Sequence, residues 1–91
     1  MVKLTLKERV YEALADCLPD DKKGEIVSDY DHLERDFGMG TVAILDLSAH
    51  LEDVFSFDVG ILAVPSVGWM TPKDVFEAVE RLENVKGVIR R

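Results

Sequence analysis

Hydrophobic positions recur at helical spacing in three stretches of the chain and lose that spacing between them. Thr5-Leu6-Lys7-Glu8 reads as a capping box, and Val10, Leu14, Cys17 and Leu18 follow it at intervals of three and four until Leu18-Pro19-Asp20-Asp21 stops the helix. In the second stretch, Asp36 to Phe55, Val42, Leu45, Leu51 and Phe55 fall near one stripe with Leu47 and Val54 at its edges. Asp46, Glu52 and Asp53 then lie elsewhere on the helix surface. The third opens at Thr71-Pro72-Lys73-Asp74, where threonine caps, proline takes a first-turn position and aspartate faces the positive end of the dipole. Val75, Ala78, Val79 and Leu82 supply its inner stripe, and Asn84 to Arg91 reads as a fraying end with a basic tail.

The segments between are less regular. From Pro19 to Gly40 the chain is polar, with Ile26, Val27, Tyr30, Leu33 and Phe37 as scattered anchors, and the expectation is a long loop with a short helical turn near Asp29 to Leu33. Gly38 and Gly40 let it turn sharply before the second helix. In Ser56 to Met70, residues 59 to 70 carry no charge, and Gly60, Pro65 and Gly68 exclude a long helix. Phe57, Val59 and the apolar residues as far as Trp69 are expected to fold into the core, because a small bundle needs them there; an exposed patch is the other arrangement.

Composition narrows the function. With 91 residues, 47% of them hydrophobic, the chain is expected to form a single domain, 1–91, with its core over about 5–83. The formal charge of −7 argues against nucleic acid or an anionic membrane as partner and for a basic protein surface. Thirteen acids and three bases lie between residues 10 and 60, so the acidity surrounds the second helix. The lone Cys17 excludes an internal disulfide, and no apolar run follows Met1-Val2-Lys3; both suit a cytoplasmic protein with no membrane span. Asp29, Asp31 and Asp36 lack the order of a calcium loop, so no metal is expected. His32 and His50 form no triad with a serine or cysteine, Cys17 reads as a buried thiol and Ser48 as an ordinary surface hydroxyl; an enzyme is not expected.

The run Asp36-Phe37-Gly38-Met39-Gly40-Thr41-Val42 resembles the central segment of the acyl and peptidyl carrier protein family, whose motif is Asp/Glu-Leu-Gly-x-Asp-Ser-Leu. Asp36 to Met39 match its opening; Gly40 stands where the family has Asp, Thr41 where it has Ser, and Val42 where it has Leu. The start of the last helix is similar as well. The resemblance implies an all-α fold, an acyl-carrier-protein-like four-helix bundle with three main helices and one short or irregular third helix. It also makes Thr41 the position at which 4′-phosphopantetheine would attach. A threonine methyl crowds approach of its hydroxyl to phosphorus, and the neighbouring carboxylate is gone. The implied function is that of a monomeric, acyl carrier protein-like docking module without its prosthetic group. Asp36, Met39, Asp46, Glu52 and Asp53 would meet basic surfaces of acyl-transfer, ligase or synthase enzymes of fatty acid, polyketide or related biosynthesis. The alternative is a working carrier bearing 4′-phosphopantetheine on Thr41.

Overall fold

A computed structural model describes residues 4–89, with side-chain surroundings for 4–85. Five helices follow one another: α1 Leu6–Asp16, α2 Leu33–Phe37, α3 Thr41–Val54, α4 Ala63–Ser66 and α5 Pro72–Ile89, with a 3₁₀ turn at Asp20–Lys22. The described residues contain no strand, so the all-α expectation holds at that level. Three helices are long. α1 packs against both α5 and α3, and α4 rests on α3, around one continuous apolar core.

Local chemistry sets the helix starts. Glu8 N–H donates to Thr5 Oγ1 at 3.1 Å and Thr5 N–H to Glu8 Oε1 at 2.8 Å, the expected reciprocal box. Asp74 does the same at α5: its Oδ2 accepts from Met70 N–H (3.0 Å) and Thr71 N–H (3.1 Å), while its own N–H donates to Thr71 Oγ1 (3.3 Å). Val75 and Val79 are fully buried, with Ala78 and Leu82 packed on the core. The backbone of α5 stays helical to Ile89 instead of fraying from Asn84; Arg90 and Arg91 of the basic tail lie outside the described residues.

The long connection after α1 is held differently from the expected apolar anchoring. Ile26 and Tyr30 face solvent, and of the five expected anchors only Leu33 and Phe37 are fully buried. The helical segment is α2, later than the turn expected near Asp29. Polar bonds fasten the rest: Asp29 accepts from Tyr11 Oη at 2.6 Å and from Lys7 Nζ at 2.8 Å, and its carbonyl accepts from Lys73 N–H at 3.2 Å. Burial first, then the Asp29 carboxylate, pushes the Tyr11 phenol up, whereas the Lys7 and Tyr11 donors hold the Asp29 carboxyl below its ordinary range.

In α3 the buried set is Ile44, Leu47, Ser48 and Leu51, continued by Phe55, not the stripe through Val42 and Leu45. Val42 and Leu45 are exposed. Ser48 is therefore an inward residue and not a surface one; its hydroxyl donates to Leu45 O at 2.7 Å, which satisfies it within its own turn. Glu52 is also inside, 6% exposed, and its two oxygens accept from Gly60 N–H (2.9 Å) and Leu62 N–H (2.8 Å). These bonds fix the path out of α3. Cys17 is half-buried, short of the full burial expected, and burial raises its thiol further from the thiolate form.

The uncharged stretch divides instead of folding in. Leu62, Ser66 and Trp69 are buried and Phe57 stacks on Phe55 with centroids 5.8 Å apart, but Val59 is 98% exposed, and Val64, Val67 and Met70 also face out.

Two measurements test these assignments. Glu52→Ala leaves two backbone donors without their carboxylate and should lower unfolding free energy by about 2 kcal/mol in urea titrations; a loss below a few tenths would exclude an anchoring role. The Tyr11 pKa is raised in the folded state, so its stabilising contribution is complete below about pH 10, the unfolded value, and is lost as pH rises beyond it. The stability difference between wild type and Tyr11→Phe should therefore shrink between neutral pH and pH above about 10. A constant difference would show that the phenol proton is not involved.

Candidate functional site

The corner between α2 and α3 is made by two main-chain bonds. Gly38 N–H donates to Glu34 O at 2.8 Å with Gly38 in the left-handed region at φ 70°, the αL helix stop, and Met39 N–H donates further back to Leu33 O at 3.0 Å. Met39, the residue beyond the stop, is 1% exposed and belongs to the same core as Leu33, as the motif favours. Gly40 is different. At φ −81° and ψ −170° its backbone is extended, a conformation open to any residue, and a Cβ there would meet nothing within 4 Å. It caps α3 without a side-chain bond.

Thr41 follows as the first residue of α3, exposed, with no hydrogen-bond partner for its hydroxyl among the described residues. The first N–H groups of α3 have no intrahelical acceptor and give this end of the helix partial positive charge. Beside Thr41 opens a cleft of about 310 Å³ between α2, α3 and the α4–α5 segment. Met39, Ile44 and Trp69 contribute apolar surface to it, Leu45, Val67 and Met70 do so from more exposed positions, and His32 and Glu34 are its polar members. Such a lining accommodates aliphatic groups, next to a hydroxyl at a helix start.

The remaining sequence-derived site residues separate into two groups. Asp46 and Asp53 are exposed and lie seven residues apart on the outer face of α3, with Val42 one turn before Asp46. Neither aspartate makes an ion pair among the described residues. Asp36 is exposed too, although its Oδ2 accepts from His32 N–H at 2.6 Å and helps start α2, where Arg35 N–H donates to His32 Nδ1 at 3.0 Å. Met39 and Glu52 are the corrections. Both are buried, Met39 to complete the corner and Glu52 to hold the following loop, so neither side chain is available to a docking partner. The spacing turns Leu45 inward and leaves Val67, Trp69 and Met70 between the core and an exposed patch; the structure brings all four to the cleft. Their cleft forms only when the irregular stretch folds back on α3, and no spacing in the sequence reports that.

His50 lies on the opposite side of the site, in a second cleft between α1 and α3 with Arg9, Glu12 and Asp16. It is partly buried, and its Nε2 is enclosed without a partner among the described residues. No group of histidine, cysteine and acidic side chains that could hold a metal forms among the described residues. No family model, no curated protein and no solved structure matches the chain.

The two corner glycines should respond oppositely to substitution. Gly38→Ala forces a side chain into the left-handed region and should cost about 1 kcal/mol. Gly40→Asp gives α3 a capping carboxylate at its positive end and should add about 0.5 kcal/mol. Thermal unfolding of both variants checks the pair, and a loss of stability in Gly40→Asp would refute the open geometry assigned to that position.

Proposed function

We propose that this chain is an acyl carrier protein-like docking module that has given up the prosthetic group and kept the surface around it. The observation that carries the reading is the surroundings of Thr41: the first residue of α3, set by the glycine corner at Gly38, exposed, and next to an apolar cleft. That arrangement supports the family resemblance of Asp36 to Val42 better than the motif letters alone, because carrier chemistry needs an accessible hydroxyl at a helix start. Asp36, Asp46 and Asp53 are the acids of the docking face in this reading. Their partners are basic surfaces of acyl-processing enzymes, reached by electrostatic steering that weakens with salt.

The site has features that would suit 4′-phosphopantetheine: a phosphodiester on Thr41 Oγ1 would meet the positive end of α3. When bound, that group supplies a flexible arm ending in a thiol. Against attachment stand the threonine methyl and the absence of a carboxylate at Gly40, both of which separate this chain from the substrate a serine-directed transferase takes. The free, exposed hydroxyl of Thr41 is what favours the second reading, a carrier modified on threonine.

Intact-mass measurement after co-expression with a broad-specificity phosphopantetheinyl transferase tests both. The wild type should stay unmodified, Thr41→Ser should gain one adduct, and Gly40→Asp with Thr41→Ser should gain it more completely. An adduct on the wild type mapped to Thr41 makes the protein a working carrier. No adduct on either variant removes the carrier-type recognition surface and the proposal with it.

A further inference from the structure

Around α4, between Asp58 and Trp69, five main-chain bonds of the turns span three residues. The N–H groups of Ile61, Ala63, Val67, Gly68 and Trp69 each donate to the carbonyl three positions earlier. Side chains three apart eclipse in turns of this kind. One edge of the stretch therefore carries Ile61, Val64, Val67 and Met70 in a row, and all four are exposed, Val64 at 82% and Val67 at 83%. Leu62, Ser66 and Trp69 turn the other way, into the core.

This ridge borders the cleft beside Thr41. Val67 and Met70 line it together with Leu45 of α3, and Val42 carries the exposed apolar surface back towards the start of that helix. Glu34 lines the cleft beside His32, and the exposed Asp46 follows the lining residue Leu45 on α3. A row of exposed aliphatic side chains next to an apolar cleft is surface that gains by being covered.

We propose that this ridge and cleft receive an amphipathic helical segment of a partner protein, its apolar stripe resting on Leu45, Val64 and Val67 and its Lys or Arg flanks meeting Glu34 and Asp46. The inference rests on the docking reading above and gives its partner a chemistry. Charge selects the occupant. A second copy of a chain with net charge −7 would bring the same acids against themselves, and an anionic bilayer would be repelled likewise. A helix with aliphatic residues on one side and basic residues beside them matches both the apolar ridge and these acids.

The probe is a helical Leu/Lys peptide with its leucines along one stripe, titrated into the ¹⁵N-labelled full chain. A Leu/Lys peptide of scrambled order and a striped Leu/Glu peptide are run beside it. Saturable binding of the striped basic peptide, with amide shifts centred on residues 42–46 and 61–70, is the expected result. Val64→Ser with Val67→Ser leaves the charge unchanged and alters only exposed side chains, so it should keep the helical circular dichroism and weaken binding by about tenfold, the equivalent of ~1.4 kcal/mol. Asp46→Asn should weaken binding and reduce its salt dependence.

Equal binding by the scrambled or the acidic peptide, or binding indifferent to the double valine change, overturns the proposal. So does sedimentation showing a dimer of the chain that the valine changes dissolve, since a second copy would then cover the ridge. Failure of the docking reading shows up elsewhere, as a Thr41→Ser variant that no transferase modifies. Peptide binding that ignores the valines while Thr41→Ser is modified defeats only this inference.

Discussion

The carboxylate of Glu52 is the contact on which the surface beside Thr41 depends. A charged group inside a small core is costly unless its oxygens are matched, and here each oxygen takes one main-chain N–H, from Gly60 and from Leu62. The carbonyl of the same residue accepts from Phe57 N–H at 2.9 Å, so a single residue of α3 holds three points of the chain that follows it. That grip puts Leu62 into the core and fixes the phase of the turns after it. Which valines then face outward follows from that phase.

Much of the fold was readable from local rules. The box at Thr5, the cap at Thr71 and the stripe of α5 act over a few residues, and the structure repeats them with little change. The inner face of α3 was not readable in the same way. Its inward set includes Ser48 and Glu52, polar residues satisfied by a carbonyl one turn back and by a loop eight to ten residues on, while Val42 and Leu45 lie outside. A stripe chosen by hydrophobicity alone rotates towards the exposed valine and leucine and away from the serine and glutamate.

The site shows the same division. Asp46 and Asp53 were placed on the helix surface by the spacing and are there, and Thr41, singled out by the resemblance, is exposed as well. The resemblance puts Met39 among the partner contacts, but the hydrophobic residue after a left-handed glycine stop packs inward, and the sequence Phe37-Gly38-Met39 held that information. The exposure of residues 59 to 70 followed a different logic. A small core was expected to need every apolar side chain, yet from this stretch Leu62 and Trp69 enter it, and Val59, Val64 and Val67 are left outside.

One bond between distant parts of the chain bears on how the site can vary. Leu33 N–H donates to Met70 O at 2.8 Å, joining the first residue of α2 to the segment just before α5 across the cleft they both line. Because donor and acceptor are both main chain, the join is indifferent to which side chains stand at positions 33 and 70, provided that proline does not occupy 33. The spacing of the cleft walls at that point is thus separated from the chemistry of their lining. Descendants of this sequence could exchange residues inside the cleft, and so change what it accepts, without losing the tie that spans it.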